Sequence, residues 1–81
     1  MEAYLLITLS PVMAHFWEIS DAAQKIEGVK RADPVLGNFD VIAHAEFSNL
    51  NELRWIIDNV LSIEGVQHIQ TCLIMQPELK E

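Results

Sequence analysis

Cationic side chains are scarce in this sequence. Five Lys and Arg stand against 12 Asp and Glu, a formal net charge of −7 over 81 residues. Nucleic-acid binding rests on neutralising phosphates with Lys and Arg, so direct contact with DNA or RNA is not expected. An anionic membrane surface is an equally poor partner. Cysteine is scarcer still: Cys72 is alone, which excludes a disulfide framework and suits a reducing cytosol. No uninterrupted apolar run is long enough to span a bilayer, because Thr8, Ser10, Pro11 and His15 break up the segment "AYLLITLSPVMAHFWEI". Met1-Glu2 lacks the basic start of a signal peptide, and the expected location is cytoplasmic. Gly-rich phosphate loops, nucleophile elbows and close acidic pairs are missing, so no enzymatic signature stands out.

Apolar residues, by contrast, are plentiful. Hydrophobic residues make up 51% of the chain and the mean hydropathy is +0.19. A single domain over residues 1–81 buries roughly 60–65% of its unfolded surface. This composition holds more apolar surface than a small monomer hides, which predicts self-association.

The tetrapeptide "IEGV" occurs twice, at Ile26–Val29 and Ile63–Val66, with "GNFD" (Gly37–Asp40) between them. "AYLLITL" predicts a strand buried on both faces. After it, Val12, Phe16, Ile19, Ala23 and Ile26 recur at helical spacing, which predicts a helix with Ser10 as cap, Pro11 in its first turn and Gly28 ending it in a left-handed cap. "VKRADPVLG" follows as an edge or bulged strand, since Pro34 cannot donate to a ladder. "GNFD" is the turn into a third strand, "FDVIAHAEF". Asn49 with Glu52 resembles a capping box ahead of a second helix whose stripe is Leu50, Leu53, Ile57, Val60 and Leu61. "VQHIQTCLIM" is the last strand and "QPELKE" a polar tail expected to fray.

The order strand, helix, strand, strand, helix, strand is a duplicated βαβ unit. It predicts an α+β, ferredoxin-like sandwich: four antiparallel strands with two helices on one face. Nothing remains to cover the other face, expected to carry Tyr4, Leu6, Thr8, Ile42, His44, Glu46, Gln70, Cys72 and Ile74. That predicts a homodimer packed sheet on sheet, like a dimeric α/β barrel. Trp17 and Trp55 fall beside the helix stripes; they either skirt the core or serve contacts beyond the dimer.

These residues resemble the RAM domain (regulation of amino acid metabolism), the C-terminal half of Lrp/AsnC regulators. The resemblance runs from about Ala3 to Met75. It rests on the element order, "GV" opening the second and fourth strands, the final "TCLI" and, most specifically, "VLGNFDVIA". The DNA-binding half of that family has no counterpart here. The resemblance implies a non-enzymatic, transcription-regulatory module that pairs into dimers and assembles further, into an octamer or decamer. It implies a free amino acid bound between dimers, with no cofactor, at Gly37, Asn38, Phe39 and Asp40, joined by Thr71 in the last strand. A full-length, DNA-binding Lrp/AsnC regulator is an expected partner. The pattern departs from the family at Ile69, where a second Ser/Thr is usual, and at "SPVMAHFW", where Gly and charged residues are usual.

Chemically, Asp40 could accept a ligand ammonium while the amides of Gly37 and Asn38 meet a carboxylate. It could equally bond its own turn backbone as an Asx motif. Threonine suits strands in any case, so Thr71 has a plain structural reading too. His68, Cys72 and His44 share a face, but two or three scattered groups fall short of a zinc set. Two other classes share the strand–helix order. A small dimeric α/β-barrel monooxygenase could draw on Tyr4, His44, His15 and Trp17, and would need a large apolar pocket. An ACT domain would enter its first helix through Asp-x-x-Gly, which "SPVM" lacks.

Overall fold

The computed structural model describes residues 1–13 and 15–77. Four strands, β1 (Glu2–Leu9), β2 (Val29–Pro34), β3 (Val41–Glu46) and β4 (Val66–Leu73), form one sheet in the order β2-β3-β1-β4, every pair antiparallel. Two helices, α1 (Phe16–Gln24) and α2 (Leu50–Leu61), cross over between β1 and β2 and between β3 and β4. This is the ferredoxin-like α+β sandwich, and β2 is indeed an edge strand. Its irregularity lies between Val29 and Arg31 rather than at Pro34, which simply ends the strand opposite Val41.

The core lies between the helices and one sheet face. Ala3, Leu5, Ile7 and Leu9 from β1 meet Val41, Ala43 and Ala45 from β3, with Val29 and Ala32 from β2. The many alanines let the helices approach closely. Above them sit Ile19 and Ala23 of α1 and Leu53, Ile56 and Val60 of α2. The expected stripe of α2 therefore shifts: Ile56 is buried, whereas Leu50 and Leu61 are exposed. The strip over the sheet is narrower than the apolar arc of the helix, so residues at the arc's edges stay in water.

The start of α1 also differs from expectation. Pro11–Met13 form a 3-10 turn and Val12 is exposed, while the helix begins at Phe16 with His15 in the cap position and no side-chain cap bond. Ser10 is engaged elsewhere, its amide donating to the Gly65 carbonyl at 2.8 Å. α2 starts as expected: the Glu52 amide donates to Asn49 Oδ1 at 3.0 Å, and Glu52 Oε1 accepts from the Ser48 amide at 3.0 Å. The reciprocal bond goes one residue further back than in the usual capping box.

The repeated "IEGV" is the same turn built twice. The Val29 amide donates to the Ile26 carbonyl at 3.0 Å, and Val66 to Ile63 at 3.1 Å. Each is a β-turn with glycine third, at φ 98° for Gly28 and 102° for Gly65, a position that type II turns reserve for glycine. The helices themselves end earlier, at Lys25 and Ser62, so glycine opens the strand rather than capping the helix.

β1 is buried on only one of its two faces. Tyr4 is 46% exposed, and Leu6 and Thr8 are half-buried, because no element among the described residues covers that side. Gln76 and Pro77 of the polar tail are described; the rest of it, from Glu78 on, lies outside the described residues.

Candidate functional site

The "GNFD" turn joins β2 to β3 at the sheet end where β1 finishes. Its neck is closed by two hydrogen bonds: Val35 amide to Asp40 carbonyl, and Asp40 amide to Ile7 carbonyl, both 2.9 Å. Leu36, Gly37 and Asn38 are exposed, and Phe39 and Asp40 half-buried. Among the described residues, the amides of Gly37, Asn38 and Phe39 meet no backbone acceptor.

Asp40 does something neither sequence reading foresaw. Its Oδ2 accepts the Leu9 amide at 2.8 Å. The β1–β3 register ends at Ile7 and Val41, so the next amide of β1 on the β3 side, that of Leu9, has no strand partner there. The carboxylate supplies the missing acceptor and pins the end of β1 to the start of β3. Among the described residues Oδ1 has no hydrogen-bond partner.

Thr71 is exposed and pairs with Leu5 on the helix side of the sheet. β1 lies between β4 and β3, and Leu5 is four residues from Leu9, roughly 13 Å along the strand. One protomer thus brings Gly37, Asn38, Phe39 and Asp40 together and leaves Thr71 apart.

Sequence reasoning missed the wall beside the turn. Phe16 and Trp17 at the start of α1 and Pro34, Val35 and Leu36 after β2 line a recess of about 260 Å³. Trp17 is 74% exposed and Leu36 fully so. The one available signal was the aromatic pair Phe16-Trp17; nothing local could tell that β2 delivers Leu36 to it.

The uncovered sheet face carries the residues expected of it, with Tyr4 opposite both His44 and Cys72, and Leu6 opposite both Ile42 and Gln70. Glu2, Arg31, Asp33 and His68 join them by register. His44 Nε2 lies 2.7 Å from Glu2 Oε1, its ring 5.4 Å from that of Tyr4, and Arg31 Nε donates to Asp33 Oδ2 at 2.7 Å. This face mixes apolar groups with the ion pairs Arg31–Asp33 and His44–Glu2. Tyr4 and His44 line one cleft there, whereas His15 and Trp17 each line a different one. The four groups considered for a monooxygenase are therefore not assembled within the chain. Among the described residues no three His, Cys, Asp or Glu converge as metal ligands, and no helix is long and apolar enough to cross a membrane.

A family model described as the Lrp/AsnC ligand binding domain matches residues 2–81. A homocitrate synthase of Sulfurisphaera tokodaii is 33% identical over 51 residues, 63% of this chain, and the match spans 11% of that enzyme. A protein of Thermus thermophilus superposes with a TM-score of 0.82 at 24% identity, covering 93% of this chain and 92% of its own. A transcriptional regulator of Neisseria meningitidis, solved as a complex with L-Met, gives 0.76 at 21% identity, over 99% of this chain and 52% of its own.

Proposed function

The chain belongs to the Lrp/AsnC ligand binding domain family, and from that premise we propose that residues 1–81 act as a non-enzymatic regulatory module that binds a free amino acid at the "GNFD" turn. The observation that carries this reading is the turn itself: among the described residues, three successive amides have no backbone acceptor and the neighbouring Asp40 carboxylate has a hydrogen bond at Oδ2 alone. Amides without backbone acceptors suit a carboxylate, and Asp40 Oδ1 suits an ammonium, so the two fit the ends of an amino acid. The Neisseria regulator, a fold relative, was solved with such a ligand.

The module pairs through its open sheet face and assembles further, so that an effector sits between copies. Thr71, which β1 separates from the turn, reaches the ligand only from a second copy. Co-assembly with a full-length DNA-binding regulator is the expected output of effector binding. The partial match to a homocitrate synthase supports the broader point that such a segment can also sit within a metabolic enzyme.

A thermal-shift series with the common amino acids at millimolar concentration tests the reading. A ligand that binds only the folded form at 100 times its Kd adds roughly 2.7 kcal/mol. For a domain this size that raises the melting temperature by more than about 10 °C. Asp40→Asn is the discriminating variant: it keeps an acceptor for the Leu9 amide but loses the charge for the ammonium. The expected result is a shift for one amino-acid class that Asp40→Asn abolishes. A flat panel removes the amino-acid reading and leaves the fold and family untouched.

A further inference from the structure

The open face of the sheet holds a charged cluster that the amino-acid reading does not use. Glu2 and Glu46 stand directly opposite each other where β1 and β3 pair, and like charges in that position repel. Each has a basic neighbour, and the two neighbours differ in kind. Lys30 Nζ lies 3.5 Å from Glu46 Oε2, and a lysine charge is constant over the neutral range. His44 Nε2 lies 2.7 Å from Glu2 Oε1, and a histidine charge is not constant there. His44 faces Glu2 and Tyr4 on β1, Glu46 on its own strand, and Arg31 and Asp33 on β2. Arg31 is engaged by Asp33 at 2.7 Å, and His68 and Cys72 of β4 lie beyond β1. With His44 neutral, three carboxylates stand against the cations Lys30 and Arg31. One proton on His44 balances the cluster.

Resting on the reading that two copies pair through this face, we propose that the His44–Glu2 pair makes the pairing pH-sensitive: copies associate more tightly when His44 carries a second proton and more weakly when it loses it. Charge favours a second copy as the occupant. The chain carries a net charge of −7, so copies repel in most orientations, and a balanced cluster makes this face one on which a second acidic copy meets little repulsion. The geometry gives the sign of the effect. Nε2 carries a hydrogen for Glu2 whether the ring is neutral or charged, so protonation changes the charge and not the contact. The His44 side chain is 27% exposed and that of Glu2 42%, and a second sheet takes that remaining water away. Under it a protonated ring neutralises Glu2, whereas a neutral ring leaves the Glu2 carboxylate desolvated and facing Glu46. The Tyr4 ring, 5.4 Å from the His44 ring, adds a π surface that favours the charged form. The paired state therefore holds the proton more firmly than the free chain. Its contribution is present at low pH and is lost as the pH rises through the range in which histidine deprotonates.

Sedimentation equilibrium of the whole chain at constant ionic strength, between about pH 5.5 and 8, tests this. The pairing Kd should be at least about tenfold lower at the acid end than at the alkaline end. For a dimer too tight to dissociate, the exchange rate of isotope-labelled with unlabelled copies, followed by native mass spectrometry, reads the same difference. His44→Gln keeps an amide donor for Glu2 and never gains the charge, so most of the response should disappear. Glu2→Gln removes the carboxylate that needs neutralising and should pair at pH 8 about as tightly as at pH 5.5. Both positions lie outside the core cluster, so both variants are expected to fold. His68→Gln, beyond β1, should keep the response. Pairing that is independent of pH, or tighter at alkaline pH, overturns the switch and leaves the pairing reading standing. A response kept in His44→Gln assigns the proton to another group and also overturns it. If no copies pair at any pH, or if Ile42→Asp on the same face leaves pairing unchanged, the switch and the pairing surface fall together.

Discussion

At the scale of single residues, hydrogen-bond bookkeeping and backbone geometry decide most outcomes. Asp40 is both a candidate ligand group and a structural tie, and its two oxygens separate the roles. Removing the acceptor in Asp40→Ala leaves the Leu9 amide without its charged partner. The expected cost is about 1–2 kcal/mol, given that the site is half-buried. It is read as a lower urea midpoint at unchanged m-value. Asp40→Asn should cost less than half of that. The glycines divide in the same way. A methyl group on Gly28 would stand 2.5 Å from Ile56 Cδ1 and 3.2 Å from the Glu46 carbonyl, on backbone that already has φ 98°. Gly28→Ala should therefore lose about 1–3 kcal/mol. At Gly37 a methyl group would meet nothing within 4 Å, so only the backbone setting at φ 156° opposes it, and the loss should be about 1–3 kcal/mol from strain alone.

At the scale of elements, the two halves of the repeat share a turn but not a helix start. α2 begins with a side-chain cap and a returning glutamate, whereas α1 begins after a 3-10 turn with no cap bond from His15. Asn49→Ala should destabilise the protein by about 1 kcal/mol, measured by denaturant titration. The same start that leaves α1 uncapped places Phe16 and Trp17 against the β2 exit. An earlier helix start at Val12, as the apolar spacing predicted, would have continued the helix where the chain instead makes its 3-10 turn. β2, at the sheet edge, has its Ala32 amide occupied by Gln24, which blunts that edge against unwanted pairing.

At the scale of the whole molecule, the helices cover one face of the sheet and, among the described residues, nothing covers the other. Leu5 and Ile7 are fully buried while Tyr4, on the opposite face of the same strand with Leu6, stays half open. If the open face packs on a second copy, a charge placed among Leu6 and Ile42 should split the assembly. Ile42→Asp is expected to sediment as a monomer and to keep its far-UV circular dichroism, because Ile42 lies outside the core cluster. A variant that still sediments as a dimer would move the pairing surface elsewhere. Trp17→Ala should leave the pairing of sheets intact, since Trp17 lies at the start of α1, on the helix side.

The element order, both "IEGV" turns and the cap of α2 follow from the sequence alone, because each depends on residues within four positions of one another. Periodicity also identified Ile19, Ala23, Leu53 and Val60 as core, whereas the "GNFD" turn drew interest through the family resemblance. Where α1 begins and why Ile56 outranks Leu50 were decided only in three dimensions, by how much of each apolar arc another layer reaches. The same holds for the candidate site. Asp40 meets an amide 31 residues away, and the recess is assembled from the start of one helix and the end of one strand. Local spacing carries no record of such contacts, since they exist only once burial of the core has set the helices on the sheet.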